Sequence, residues 1–251
     1  MRIRLVCLLF VMAIVGSAAG LEAQNRPDFS GIWTRTGRKP NEYFFKGQPP
    51  LQPWAKAMFD ENRTGLSVEE DGLDAMDPTI YCMPHGIPRV LASSQPFEIV
   101  QTAKVLYELF ESQQMQRRVF IGGEKMPDLY PPSYMGWSTG HFDGGTLVIE
   151  TVGLDDTTWI DTSGAPHSDQ LKVTERMRLT GPDLIEVQFR LEDPKAFTRV
   201  IEDTKTFARQ KDWKIMENTG YCDDRFKYDY GRKIFKNNVG WQSVEAASEA
   251  K

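Results

Sequence analysis

Beyond residue 96 the chain alternates apolar and polar residues with a period of two. Ile185, Val187, Phe189 and Leu191 share one face, while Glu186, Gln188 and Arg190 share the other. Such alternation marks strands with one buried and one wet face. The pattern predicts strands over 29–35, 97–102, 105–112, 115–121, 134–142, 146–152, 171–179, 184–191, 197–208 and 214–217. Asp143-Gly144-Gly145 and Thr180-Gly181-Pro182-Asp183 punctuate them as hairpin turns, where Gly accepts positive φ and Pro presets the backbone. Consecutive hairpins with one buried face form a meander, and a meander closes into a barrel or folds into a sandwich. Closure removes exposed strand edges. The expected fold is therefore all-β, an antiparallel up-and-down barrel, with a β-sandwich as the alternative.

Residues 36–96 break this rhythm. They are rich in Pro, Gly and charge, and only Trp54 to Asn62 predicts a helix, opened by Pro53 at a permitted first-turn position. A long irregular stretch inside a domain usually covers a site or an edge. It reads as an insertion wrapped over one barrel domain spanning 24–251. Gly31-Ile32-Trp33, in the first strand, resembles the Gly-x-Trp signature of lipocalin-like barrels. That resemblance implies a Trp closing the barrel floor.

The amino terminus adds a compartment. Arg2 and Arg4 precede an apolar run from Leu5 to Val15, followed by small residues from Gly16 to Gly20. This is the layout of a secretory signal peptide, with cleavage expected after Ala23 and Ala19 as the other candidate. The apolar run is shorter than the roughly 20 residues a membrane helix needs, and no later run could span a bilayer. The expected location is periplasmic or secreted. The net charge is −5, and no basic stripe stands out, which argues against nucleic acid as a partner. Cys82 and Cys222 lie beyond the signal, and export favours a disulfide between them. Closing that loop of ~140 residues is worth about 4–5 kcal/mol in the chain-entropy description. Asn62-Arg63-Thr64 matches a glycosylation acceptor.

Candidate chemistry is sparse. Glu175 interrupts the apolar stripe of Leu171, Val173, Met177 and Leu179. A carboxylate there must be ion-paired, protonated or exposed to a wet cavity. It is either an acid/base group or one half of a structural pair with Arg176, Arg178 or Arg190. His141 alternates with Met135, Trp137 and Thr139, a soft aromatic face suited to a ligand wall or to a hydrogen-bonded core histidine. The segment 153–169 is the densest polar stretch and carries Trp159, Asp161, His167 and Ser168. Loops on a rigid scaffold often carry binding residues, and Asp161 could orient the His167 imidazole. No nucleophile-elbow motif accompanies Ser168, so the sequence gives little support to a Ser-His-Asp triad. His85, His141 and His167 lack metal-ligand spacing. No metal and no cofactor are expected.

Several motifs together resemble a large family of secreted bacterial β-rich proteins. They are Pro27-Asp28-Phe29-Ser30-Gly31-Ile32-Trp33, the segment Cys82 to Arg89, Gly140 to Thr151, Asp156 to Asp161, Gly164 to Ser168, and Leu171 to Arg178. The resemblance implies a bacterial, exported, β-rich protein and no particular reaction. Phe142-Asp143-Gly144-Gly145 stands where that family tends to show Trp-Glu-Gly-Asp. Three functions follow. The first is a barrel binding a small, mostly apolar molecule through Met135, Trp137, Trp159 and Trp33. The second is a hydrolase, lyase or isomerase using Glu175, His141, His167 and Asp161 as acid/base groups. The third is a structural or interaction module of the envelope. Convergence of the four polar residues in one pocket would favour catalysis, and a solidly packed interior would favour the module.

Overall fold

The computed structural model describes residues 26–37, 43–45, 47–64, 77–81 and 83–214. The signal segment, Cys82, Cys222 and most of the strand expected over 214–217 lie outside them.

The chain folds into a closed, nearly all-β barrel. The strands are β1 Gly31–Arg35, β2 Phe97–Gln101, β3 Val105–Phe110, β4 Gln116–Ile121, β5 Trp137–Asp143, β6 Thr146–Val152, β7 Lys172–Gly181, β8 Leu184–Glu192 and β9 Ile201–Gln210. They follow one another around the ring in sequence order, and β1 pairs with β9 to close it. The predicted helix is α1, Pro53–Thr64.

One feature departs from a pure meander. β4 and β5 run parallel, with Val119 beside Ser138 and Ile121 beside Gly140. Parity demands a pair of this kind. Nine strands cannot close with every neighbour antiparallel, because directions must alternate around the ring. A parallel neighbour needs a connection that travels the length of the strands. Residues 122–136 make that crossover. Gly136, at φ 61, turns the chain back into β5, so that strand begins at Trp137 and not at Tyr134. The last strand also starts later than its apolar pattern implies. Asp193 Oδ1 accepts the Lys195 and Ala196 amides, which curls 193–197 into a turn before β9.

Interior and exterior follow the period of two on β7 and β8. Val173, Met177, Ile185, Val187, Phe189 and Leu191 are buried. The outer face carries cross-strand ion pairs, Arg178 with Glu186 at 2.8 Å and Arg190 with Glu202 at 3.0 Å. On β5 the assignment is reversed from the expected ligand wall. Ser138 and Gly140 face inward, while Trp137, Thr139 and His141 face out. The Trp137 ring stacks outside the barrel on Phe120, 4.5 Å between centroids, with Tyr130 of the crossover edge-on at 5.2 Å. Gly140 lets β5 lie close to its neighbours, since a Cβ there would sit 3.0 Å from Val119 Cγ1.

The barrel has two unlike ends. The β2–β3, β5–β6 and β7–β8 turns and residues 26–30 gather at one end, the floor, while the β3–β4 turn lies at the other. Trp33 is fully buried at the floor. Its Nε1 donates to the Phe29 carbonyl at 2.9 Å, and the Arg209 guanidinium lies over its ring at 4.2 Å. This is the floor closure that the lipocalin-like signature implies. The other end, the mouth, carries the wrap, the 153–171 loop and the 193–200 turn. Gln52 N–H donates to Ala196 O and Thr198 N–H to Pro50 O, which stitches the wrap to that turn. Asn62 is buried on α1 and its Nδ2 donates to Gly164 O at 2.8 Å. That packing rules Asn62 out as a glycosylation site in the folded chain.

Gly31 sits at φ 136, and a Cβ there would collide with the Arg209 guanidinium that also donates to Ser30 O. Gly31→Ala should cost about 1–3 kcal/mol through backbone strain and displacement of Arg209. A fall in the urea midpoint with an unchanged slope would show it.

Candidate functional site

Two polar constellations lie within the barrel and its mouth. The first centres on Arg117. The inward register of β4 carries this guanidinium into an otherwise apolar interior, where an unpaired charge would cost several kcal/mol. Its Nη2 donates to Glu175 Oε1 at 2.6 Å and to Thr151 Oγ1 at 2.6 Å. Its Nη1 donates to Glu108 Oε2 at 3.0 Å, and its Nε to Ser138 Oγ at 2.9 Å. The partner of Glu175 is thus Arg117, not Arg176, Arg178 or Arg190, whose strand positions point them outward.

The charges are not evenly matched. Two carboxyl groups share one guanidinium. Burial raises the Glu108 pKa, Arg117 opposes the rise and Glu175 reinforces it. Glu108 Oε1 has no hydrogen-bond partner among the described residues. Burial and the neighbouring Glu175 thus favour the protonated form of Glu108 more than for a free glutamate, against the pull of Arg117. Burial works against the charge on Arg117, but Glu175 and Glu108 outweigh it and raise its pKa.

The second constellation closes the mouth. Phe44 reaches in from the wrap, its ring edge-on to Phe189 at 5.2 Å between centroids. The Lys205 ammonium lies 4.1 Å from the centre of the Phe44 ring and 2.7 Å from Asp203 Oδ2. Asp161 Oδ2 accepts the Phe44 amide at 2.8 Å, and its Oδ1 accepts the Ser163 amide at 2.8 Å. Phe45 packs edge-on against Phe197 at 6.3 Å. Phe189 stands opposite Glu175 in the β7–β8 register, which sets the mouth beside the ionic cluster.

The four acid/base candidates do not converge. Glu175 is locked to Arg117 inside the barrel, and His141 is exposed on its outer wall. Asp161 holds backbone amides and does not meet His167. The His167 ring contacts Ser168 O at 3.0 Å and Thr158 Oγ1 at 2.8 Å, and burial lowers its pKa. Ser168 Oγ donates to Asp193 at 2.8 Å, so Ser168, His167 and Asp161 form no triad. The expected ligand wall is dispersed as well. Trp33 is in the floor, Trp137 is outside, Met135 is half-buried at the core edge, and Trp159 is buried under Arg89 at 5.5 Å.

Residues outside the expected set carry the site. Tyr43-Phe44-Phe45 is an aromatic triplet in an otherwise polar wrap, and that composition was the available signal. Arg117 followed by Arg118 gave none, because one faces in and the other out. A clamp at the β3–β4 turn was equally hidden. Gln113, in the left-handed region at φ 52, accepts the His85 amide at 3.0 Å and donates to Met83 O at 3.0 Å. His85 packs beside it, 3.1 Å from Ser112 Oγ, its pKa pushed down to about 4 by burial and then by Arg89.

No family model and no curated protein matches the chain. Among solved structures it is similar to a secretary abundant heat soluble (SAHS) protein from Ramazzottius varieornatus, at 10% identity and a TM-score of 0.32. That alignment covers 72% of this chain and 95% of the other. A likeness at this level says nothing of ligand or partner. The fold and the site together define a closed β-barrel with a buried ionic cluster inside it and a mouth filled by its own chain.

Arg117→Met should cost about 3–5 kcal/mol, because it strands a buried carboxylate. Replacing the cluster together, with Glu108→Gln and Glu175→Gln added, should recover most of that loss in equilibrium denaturation. Glu108 gives a pH signature of its own. Below the ordinary Glu value of about 4.3 its stabilising contribution is complete. As pH rises the unfolded chain releases the proton first, so this contribution falls until the raised folded pKa is passed. The stability of the unsubstituted protein relative to Glu108→Gln should therefore decline with rising pH from about 4.3 upward. A pH-independent difference would mean that Glu108 is not proton-bearing.

Proposed function

We propose that the chain is an exported bacterial binding protein, not an enzyme, and that its seat for a small, mostly apolar molecule is the mouth occupied by Phe44. The signal-peptide layout and the family resemblance support export. The observation that carries the binding reading is Phe44 itself, a ring from the wrap seated against Phe189 like a ligand. Barrels commonly bind ligands at their mouths, under loops of this kind. The scatter of Glu175, His141, Asp161 and His167 speaks against a shared acid/base mechanism.

A solid interior favours the second reading, an envelope interaction module. Glu108, Arg117, Glu175, Leu147 and Ile149 are almost wholly buried, which leaves the barrel interior filled around the cluster. On the binding reading the seat is therefore shallow, confined to the mouth, and reached by displacing Phe44. Self-occupation lowers apparent affinity by the fraction of time the mouth is closed.

Titration with the neutral fluorophore N-phenyl-1-naphthylamine separates the two. The unsubstituted protein should show one saturable site per chain, and Phe44→Ala should bind at least about tenfold tighter by removing the internal competitor. Saturable binding that ignores Phe44→Ala would move the site away from the mouth. An absence of saturable binding in both proteins, with far-UV dichroism intact, would leave the interaction module standing.

A further inference from the structure

The electrostatics of the mouth bear on what kind of molecule it accepts. Lys205 is a lysine on an inward position of β9, between Ile201 and Phe207 in the alternation of that strand. Its side chain is buried. A buried ammonium is costly unless a counter-charge and close contacts replace water. Asp203, two residues earlier on the same face, supplies the counter-charge at 2.7 Å. The Phe44 ring supplies a further contact, its π-face 4.1 Å from Nζ. That is well inside the range of about 6 Å over which a cation is drawn to a ring quadrupole.

An occupant that displaces Phe44 takes that π-face away from Lys205. A saturated occupant of equal size would fill the space beside Phe189 and return nothing to the ammonium. An anionic headgroup is not called for, since Asp203 already balances the charge. A ring with an electron-rich face restores what Phe44 gave and can meet Phe189 edge to face. We infer that the mouth selects an aromatic occupant over a saturated one of the same size, with Lys205 as the specificity-determining residue. The inference rests on the mouth being the ligand seat.

The experiment uses matched neutral alcohols on the full mature chain and on Phe44→Ala, followed by calorimetry. 4-Phenylbutan-1-ol should bind about tenfold tighter than 4-cyclohexylbutan-1-ol, although the cyclohexyl compound is the more apolar. The pentafluorophenyl analogue, whose ring quadrupole is inverted, should lose that advantage. The double variant Lys205→Met with Asp203→Asn removes both charges together and should bind the phenyl and cyclohexyl compounds alike. Should that variant not fold, the fluorinated analogue still decides the matter on the unsubstituted protein. Equal binding of phenyl and cyclohexyl compounds, or equal binding of the phenyl and pentafluorophenyl compounds, overturns the aromatic selection and leaves the mouth as a seat. Failure of every compound to bind overturns the seat and the selection together.

Discussion

The barrel is organised around one buried guanidinium. Arg117 stands on β4 and bonds directly to Glu108 on β3, Ser138 on β5, Thr151 on β6 and Glu175 on β7. Those strands include the parallel β4–β5 pair, whose backbone register covers only Val119 to Ile121 on one side. The Nε bond to Ser138 crosses that short seam. A single planar, permanently charged group with donors fanned in one plane suits this task in a way a lysine would not. Desolvation makes the cluster costly to form and more costly to leave incomplete. A buried hub of this kind ties closure of the ring to one set of partners.

The same hub decides what the interior can be. Arg117 and its partners fill the barrel between the Trp33 floor and the Phe44 mouth, so the middle of the barrel is a packed core. Ligand chemistry is pushed to the mouth, where the wrap, the 153–171 loop and the 193–200 turn meet. Polar side chains there are engaged in holding loops together. Asp161 anchors Phe44 and Ser163, Asp193 anchors Ser168, and His167 closes on its own loop. Residue types associated with catalysis serve here as backbone acceptors, because three irregular segments must satisfy their amides away from water.

Glu175 is an anomaly on an apolar stripe of the sequence, and in the fold it is an interior ion pair. Its partner is not Arg176 or Arg178, because charges adjacent to Glu175 in sequence lie on the opposite face of a strand, while Arg117 reaches it across the barrel. The alternation on β5 was also legible, but two faces of one strand carry equal periodicity. Nothing local says that Ser138 and Gly140 face in while Trp137 and His141 face out. The crossover decides it, since residues 122–136 lay Tyr130 over Trp137 and bury that ring from outside.

Local patterning by itself determined the all-β class, most strand boundaries, the hairpin turns and the helix after Pro53. Each of these depends on side-chain period, turn stereochemistry or capping, which act over a few residues. Tertiary structure alone decided the parallel pair, the convergence on Arg117, the entry of Phe44 into the mouth and the outward turn of His141. Those depend on ring closure and on contacts between segments far apart in the chain, where the deciding energy is desolvation, and desolvation is set by the surroundings that the whole fold builds.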